Sequence, residues 1–273
     1  MPKELPFVSC LCPTYYRPQL LPNAVQCFID QIYPSDRKEL IILDDAGQIE
    51  PLEYRTSGGI VKVISTDSRY ETLPHKFNEL ACLAQGDIYA VWEDDDVYLP
   101  HHLKANVEMI VNSGFSPEEP QCSKWSRVIS CYRGKVFSEP STGRFHASLV
   151  FNQAALEVSG GWPITKRADF DQQFIAKLHE VCGGFLDPLT INELPQYALR
   201  WEGSKSFHGQ NTMRSPDDET WYDRIPELIA SQGVSTAKVD GLIQPRYDAD
   251  TLSLLQLIEF PHVYSELVNY TRT

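Results

Sequence analysis

The chain has 273 residues, of which 42% are hydrophobic and 22% are charged. This length allows one large α/β domain or two small ones with a sizeable core, and the composition excludes disordered and fibrous proteins. Acidic residues outnumber basic ones by 37 to 24, and the net charge of −13 argues against a broad surface for nucleic acid or anionic membrane, though a local basic groove is still allowed.

The first half of the chain alternates between apolar runs and helical periodicity. In chain order, the pattern predicts a strand at 7–12, a helix at 20–32, strands at 40–43 and 62–66, a helix at 74–84, a strand at 88–92 and a helix from 100 to 111. Strands that alternate with helices predict a mostly parallel sheet with right-handed crossovers.

The pattern changes in the second half. In chain order, it predicts a hairpin at 128–131 and 135–138, a strand at 145–151, a helix at 170–181, a strand at 196–201, and helices at 221–229 and 251–268. No internal repeat or clear linker is present, so we expect a single domain with a helical extension from about residue 215.

The cysteines and the apolar runs bear on the compartment. The seven cysteines are scattered and form no C-x-x-C pair, which favours buried free thiols in a reducing compartment. No run approaches the roughly 20 apolar residues of a membrane span. We expect a cytoplasmic protein without an integral membrane segment.

Polar residues follow three of the predicted strands directly. They are Thr14, Asp45 and the acidic run Glu93-Asp94-Asp95-Asp96. In parallel sheets, ligands bind beyond the carboxyl ends of the strands, so these residues should lie along one edge. Consecutive carboxylates repel one another, and a divalent cation such as Mg²⁺ or Mn²⁺ would compensate them. A solvated loop or a helix cap is the alternative for the acidic run.

Four short motifs occur in a specific order and spacing. They are P-T-Y-Y-R-P at 13–18, L-D-D-A at 43–46, G-D-I at 86–88 and W-E-D-D-D at 92–96. Together they resemble the P-T-Y-N-R-P, V-D-D-G, G-D-Y-I and D-x-D stretches of family 2 glycosyltransferases. The resemblance covers residues 7–103.

The resemblance implies the GT-A fold, an α/β fold with a Rossmann-like, mostly parallel central sheet flanked by helices. Residues 1–214 would form the GT-A domain, with about 1–103 binding the nucleotide sugar and about 104–214 facing the acceptor. Residues 215–273 would form a helical extension packed on the same domain.

The resemblance also implies a donor site, which consists of Pro13, Thr14, Tyr15, Arg17, Asp45, Arg69, Asp94 and Asp95. Asp45 would accept a hydrogen bond from the base. Asp94 and Asp96, with His208, would bind Mn²⁺ or Mg²⁺. Glu93 stands where the family often has its first Asp, which leaves open which two carboxylates coordinate the metal. Alternatives are a strand-end turn for Asp45, a surface charge for Arg69 and a structural role for His208.

The acceptor side carries a second resemblance. Gly160-Gly161-Trp162-Pro163 and the later Ala168-Asp169-Phe170-Asp171 resemble the family's G-G-F and E-D motifs. Asp169 would be the catalytic base, and one of the two aspartates could cap the following helix. We also expect Trp162 and Trp201 either to stack on a sugar or to pack in the core. His146 would lie near the acceptor. His101 and His102 would be at the surface.

The sequence therefore predicts a metal-dependent inverting glycosyltransferase that uses a nucleoside-diphosphate sugar, with UDP favoured. The acceptor would bear a hydroxyl, with a glycan ahead of a lipid carrier, a protein or a modified nucleic-acid base. A sugar-phosphate nucleotidyltransferase is one alternative, but residues 13–18 contain no glycine to cradle a triphosphate. A non-catalytic nucleotide-sugar-binding module is the other.

Overall fold

The computed structural model describes residues 5–132, 135–200, 218–231 and 233–258. Within these ranges the strands are β1 (Val8–Thr14), β2 (Lys38–Asp44), β3 (Leu52–Thr56), β4 (Gly59–Ser65), β5 (Ile88–Val91), β6 (Val97–Tyr98), β7 (Cys122–Lys124), β8 (Arg127–Tyr132), β9 (Lys135–Pro140), β10 (Leu149–Asn152) and β11 (Tyr197–Arg200). The α-helices are α1 (Leu21–Ile29), α2 (Leu73–Leu83), α3 (His102–Asn112), α4 (Gln153–Ser159), α5 (Phe170–Val181), α6 (Ile225–Ser231) and α7 (Ala249–Leu257).

The central sheet has seven strands in the order β3-β4-β2-β1-β5-β10-β7. The four middle strands, β4, β2, β1 and β5, are parallel, and the outer pairings are antiparallel. Strands β1, β2 and β5 are buried along their whole length, as expected for parallel strands covered on both faces. The predicted α/β fold with a mostly parallel central sheet is confirmed.

The register brings the polar strand ends together. Thr14 pairs with Asp44 and Asp44 pairs with Ser65, so β1, β2 and β4 end at the same level. Strand β5 ends beside β1, where Leu11 pairs with Val91. The acidic run after β5 therefore lies next to Thr14, as the strand-end argument predicts.

A second sheet, in the order β6-β11-β8-β9, combines the predicted hairpin (β8 and β9) and the strand predicted at 196–201 (β11) with β6, which was not predicted. Strand β6 follows Asp96 directly, and β11 pairs with it through Tyr197 and Tyr98. Strand β6 has only two residues, which is too short for a periodic pattern. This small sheet brings β11 against the acidic run.

Two predicted elements differ in the region of β10. The predicted strand at 145–151 is divided because Phe145 has a left-handed φ of 62° and opens a 3₁₀ turn, His146–Ser148. Only Leu149–Asn152 is a strand, and α4 follows it at once, capped by the Asn152 side chain, which accepts from Ala155 N at 3.0 Å. Helix α5 has the predicted bounds.

The described part of the C-terminal extension lies on the N-terminal half of the chain. Asn23 Nδ2 donates to Asp248 Oδ2 and Asp248 N donates to Asn23 Oδ1, both at 2.9 Å. Gln48 Nε2 donates to Ser235 O at 2.7 Å. Helices α6 and α7 correspond to the two predicted helices, and the remainder of the second lies outside the described residues. None of the described helices is long and apolar enough to cross a membrane.

Candidate functional site

An open cavity of about 840 Å³ lies at the carboxyl edge of the central sheet. Seven of the eight predicted donor-site residues line it: Pro13, Thr14, Tyr15, Arg17, Arg69, Asp94 and Asp95. Side chains that the sequence did not indicate complete the wall: Leu73, Lys76, Phe77, Trp221, Tyr222 and Ile225. The cavity thus joins the strand ends to helix α2 and to the C-terminal extension.

Thr14, the last residue of β1, and Arg17, in the loop that follows, hold the acidic run in place. Thr14 Oγ1 donates to Asp94 Oδ2 at 2.7 Å. Tyr16 has a left-handed φ of 50°, and the loop returns Arg17 to the strand ends. The Arg17 guanidinium donates to Asp94 Oδ1 and, at 2.9 Å, to Asp95 Oδ2. One arginine therefore neutralises part of the charge of two neighbouring carboxylates.

Three carboxylates of the acidic run, Glu93, Asp94 and Asp96, have raised pKa values. Burial raises the pKa of Asp94 to about 6 against the opposing effect of Arg17. Burial, together with Asp95, Asp171 and Asp94, raises the pKa of Glu93 to about 8. Burial and the neighbouring carboxylates also raise the pKa of Asp96 well above its ordinary value. A cation would relieve this repulsion.

Glu93, Asp95 and Asp96 form a carboxylate trio, with one oxygen of each lying within 4.8 Å of the others. Asp96 is held by the Tyr197 hydroxyl at 2.5 Å and by Arg200 N at 3.2 Å, both from β11. Three hard oxygen ligands at this spacing fit Mn²⁺ or Mg²⁺.

The trio differs from the predicted metal ligands. Asp96 belongs to it and Asp94 does not; the two oxygens of Asp94 accept hydrogen bonds from Thr14 and Arg17. Glu93 and Asp95 take its place. His208, the third predicted ligand, lies outside the described residues.

Asp45, the eighth predicted donor-site residue, does not line the cavity. Lys76 Nζ donates to Asp45 Oδ1 at 2.5 Å and to the Thr14 carbonyl, and Tyr70 N donates to Asp45 Oδ2 at 3.0 Å. Asp45 is thereby held behind Lys76. The sequence could have indicated that Lys76 is buried, because it precedes the buried Leu80 by one turn on the apolar face of α2.

Arg69 joins the N-terminal half of the chain to the C-terminal extension. Its guanidinium carbon lies 4.7 Å from the centre of the Tyr15 ring and 3.8 Å from that of Tyr222. Arg69 Nη2 also donates to the Tyr222 carbonyl at 2.7 Å. Arg69 is thus placed between two aromatic rings at the cavity wall, which is more than a surface charge.

The two aspartates at the start of α5 differ in position. Asp169 accepts from Arg167 Nε and Nη2 at 3.0 and 2.9 Å and from Gln173 Nε2 at 2.8 Å. These hydrogen bonds, with Arg167 first, lower its pKa, and Asp169 does not line the cavity. Asp171 lines the cavity, and burial raises its pKa.

Two buried side chains lie behind this wall. Trp162 is 1% exposed and stacks on Phe77 and Phe174, so it packs in the core. Trp162 Nε1 donates to His146 Nε2 at 2.6 Å, and His146 Nδ1 lies 3.5 Å from Glu93 Oε1. Burial lowers the pKa of His146 to about 4.

Two other aromatic expectations have different outcomes. His102 is fully buried and accepts a hydrogen bond from Trp125 Nε1 at 3.2 Å, so its predicted surface position is wrong. Trp201 lies outside the described residues.

Part of the chain that forms this site matches a known protein family. Residues 9–116 match the model of the glycosyl transferase family 2. No protein of curated function has a matching sequence.

Solved structures show the same fold. TarS 1–349 from S. aureus, in complex with UDP-GlcNAc, is similar with a TM-score of 0.58 and 15% identity over 94% of this chain and 72% of that one. A mannosyltransferase from Pyrobaculum calidifontis, PcManGT, in complex with GDP-Man and Mn²⁺, is similar with a TM-score of 0.51 and 17% identity. The match covers 76% of this chain and 60% of that one. The chain therefore has the GT-A fold, and its residues 9–116 resemble the glycosyl transferase family 2 domain.

Proposed function

We propose that the chain transfers a sugar from a nucleoside-diphosphate sugar to a hydroxyl acceptor, with metal dependence and with inversion at the anomeric carbon. The observation that carries this proposal is one cavity lined by carboxylates from both halves: Glu93, Asp94 and Asp95 after β5, and Asp171 on α5. The UDP-GlcNAc and GDP-Man complexes of the similar structures support a nucleotide-sugar donor. UDP is the favoured nucleotide.

The donor would lie along the strand ends. Tyr15 and Arg69 offer an aromatic face and a planar cation to the base and the diphosphate. Asp45 acts through Lys76, which it holds at the cavity wall. This role replaces the direct contact with the base that the resemblance implies for Asp45.

The carboxylate trio would hold Mn²⁺ or Mg²⁺. When bound, this ion supplies positive charge to the leaving diphosphate. The trio fits such an ion because its members are desolvated and mutually repelling. Arg17 keeps Asp94 out of this role and holds Asp95 at the edge of the trio.

A carboxylate at the start of α5 takes the proton of the acceptor hydroxyl. Inversion requires this group on the face of the sugar opposite the leaving diphosphate. Asp169 is the base that the resemblance implies, and Asp171 is the one that lines the cavity. A glycan is the favoured acceptor, ahead of a lipid carrier, a protein or a modified nucleic-acid base.

The test is a screen of UDP-, GDP- and dTDP-sugars, with and without Mn²⁺, by thermal shift and by release of the nucleoside diphosphate. We expect one donor to raise the melting temperature only with Mn²⁺ and to be hydrolysed slowly without an acceptor. Asp95→Asn should abolish both effects. Donor binding without hydrolysis or transfer would indicate a binding module, and product formation from a triphosphate and a sugar phosphate would indicate a nucleotidyltransferase.

A further inference from the structure

His146 is a buried polar side chain that the donor site does not use. It opens the 3₁₀ turn before β10, is 3% exposed, and is surrounded by the rings of Phe77, Trp162, Phe170 and Phe174. A polar ring in an aromatic cluster is costly unless both of its nitrogens have partners. Each of the two ring nitrogens of His146 should therefore have a hydrogen-bond partner.

Trp162 fixes the tautomer of His146. An indole N–H can only donate, so His146 Nε2, at 2.6 Å from Trp162 Nε1, must accept. A ring that accepts at Nε2 is neutral and carries its proton on Nδ1. The hydrogen bond from Trp162 therefore determines that the imidazole proton of His146 is on Nδ1.

The buried Nδ1 of His146 lies beside the carboxylate trio. Glu93 Oε1 is 3.5 Å away, and among the described residues no atom is within hydrogen-bonding geometry of Nδ1, so this buried donor is left for Glu93 to satisfy. Glu93 is one methylene longer than the aspartate that the family often has here. The longer chain has an additional torsion, so a fixed position requires a partner.

We propose that His146 is a positioning residue: its Nδ1–H donates to the Glu93 carboxylate and, with its tautomer fixed by Trp162, holds Glu93 in the carboxylate trio. The inference rests on the proposed function, since it takes the trio to be the metal ligands. Ligands to bound metals are commonly oriented by a second layer of hydrogen bonds in this way. Asp171 acts on the same ring through its charge.

The first test measures binding of Mn²⁺ alone to the full chain, without donor, by calorimetry. His146→Leu should weaken Mn²⁺ binding by about 10- to 100-fold, the range for loss of such a partner. His146→Gln, which keeps an N–H donor, should restore most of the affinity. His179→Leu, on the exposed side of α5, is the matched control. A folded His146→Leu variant that binds Mn²⁺ within twofold of the wild type overturns the proposal.

The second test does not depend on the metal. Nitrogen-15 spectra of the imidazole should show His146 protonated at Nδ1 in the wild type, and Trp162→Phe should release the second tautomer. Trp162→Phe keeps the ring packing and removes only the donor, so it should remain folded. Protonation at Nε2 in the wild type overturns the proposal. Correct tautomers in a chain that binds no Mn²⁺ would instead count against the proposed metal dependence and leave the His146–Glu93 pairing supported.

Discussion

At the scale of single residues, the start of α5 presents two aspartates whose surroundings differ. Asp169 has the lower pKa because Arg167 and Gln173 hold its oxygens, and a carboxylate stabilised in this way is a weak base. Asp171 has a raised pKa, which brings it nearer to the operating pH that general-base catalysis requires. The geometry therefore favours Asp171, and the motif favours Asp169.

Paired substitutions separate the two. The base variant, Asp171→Asn or Asp169→Asn, should lose transfer by about 10²- to 10⁴-fold, because proton transfer by a positioned group contributes that much. It should keep its affinity for nucleotide and metal, measured by calorimetry, because neither aspartate belongs to the carboxylate trio. If both variants retain transfer within threefold, neither aspartate is the base.

At the scale of elements, the strand ends could be predicted and the second sheet could not. The apolar runs of β1, β2 and β5 are long enough to be read, so Thr14 and the acidic run were placed correctly along one edge. The carboxylate trio depends on Tyr197, which reaches Asp96 from a strand of four residues. The sequence predicts that strand at 196–201, but it does not indicate its contact with Asp96, which is 101 residues away.

The partners of the acidic run were hidden from the sequence for the same reason. Local sequence shows four acids in a row, but the ion pairs of Asp94 and Asp95 are made with Arg17, which lies far away in sequence. The role of Lys76 was equally hidden, since charge on a helix usually faces solvent. Long-range pairing of charges is a property of the folded chain, not of a motif.

The C-terminal extension forms part of the cavity wall through Tyr222. Tyr222→Ala should raise the KM for the donor by about tenfold, because it removes one face of the stack around Arg69, worth up to about 2 kcal/mol when desolvated. Tyr222→Phe keeps the ring and should behave as the wild type, since the hydrogen bond from Arg69 goes to the carbonyl. An unchanged KM in the folded alanine variant would show that the extension does not contact the donor.

At the scale of the whole molecule, the acidic composition and the site are linked by proton binding. The net charge of −13 is accompanied by buried carboxylates with raised pKa values, while buried His146 and His102 have lowered ones, about 4 and about 3. These shifts act in opposite directions on stability. Because the pKa values of the two histidines are lowered, the unfolded state binds more protons than the native state between about pH 4 and 6.5. The histidines therefore make the free energy of unfolding increase as pH rises through this range.

Between pH 6.5 and about 8 the histidines are neutral in both states, and the buried carboxylates Glu93 and Asp96 contribute to the pH dependence. The pKa of Glu93 is raised from 4.5 to about 8 and that of Asp96 is raised well above its ordinary value, so both bind protons more tightly in the native state than in the unfolded one. The native state binds more protons, so the free energy of unfolding falls as pH rises through this window.

Urea unfolding in a chelator should therefore show a decline in the free energy of unfolding between pH 6.5 and 8, of which Glu93 contributes up to about 2 kcal/mol. Glu93→Gln removes one of the two titrating carboxylates and should reduce this decline, whereas Glu108→Gln, on the exposed face of α3, should leave it unchanged. Saturating Mn²⁺ should also remove the decline, because a cation in the carboxylate trio favours the ionised form of Glu93. A free energy of unfolding that rises steadily from pH 6.5 to 8 in the chelated protein would mean that Glu93 is ionised in the native state without a metal.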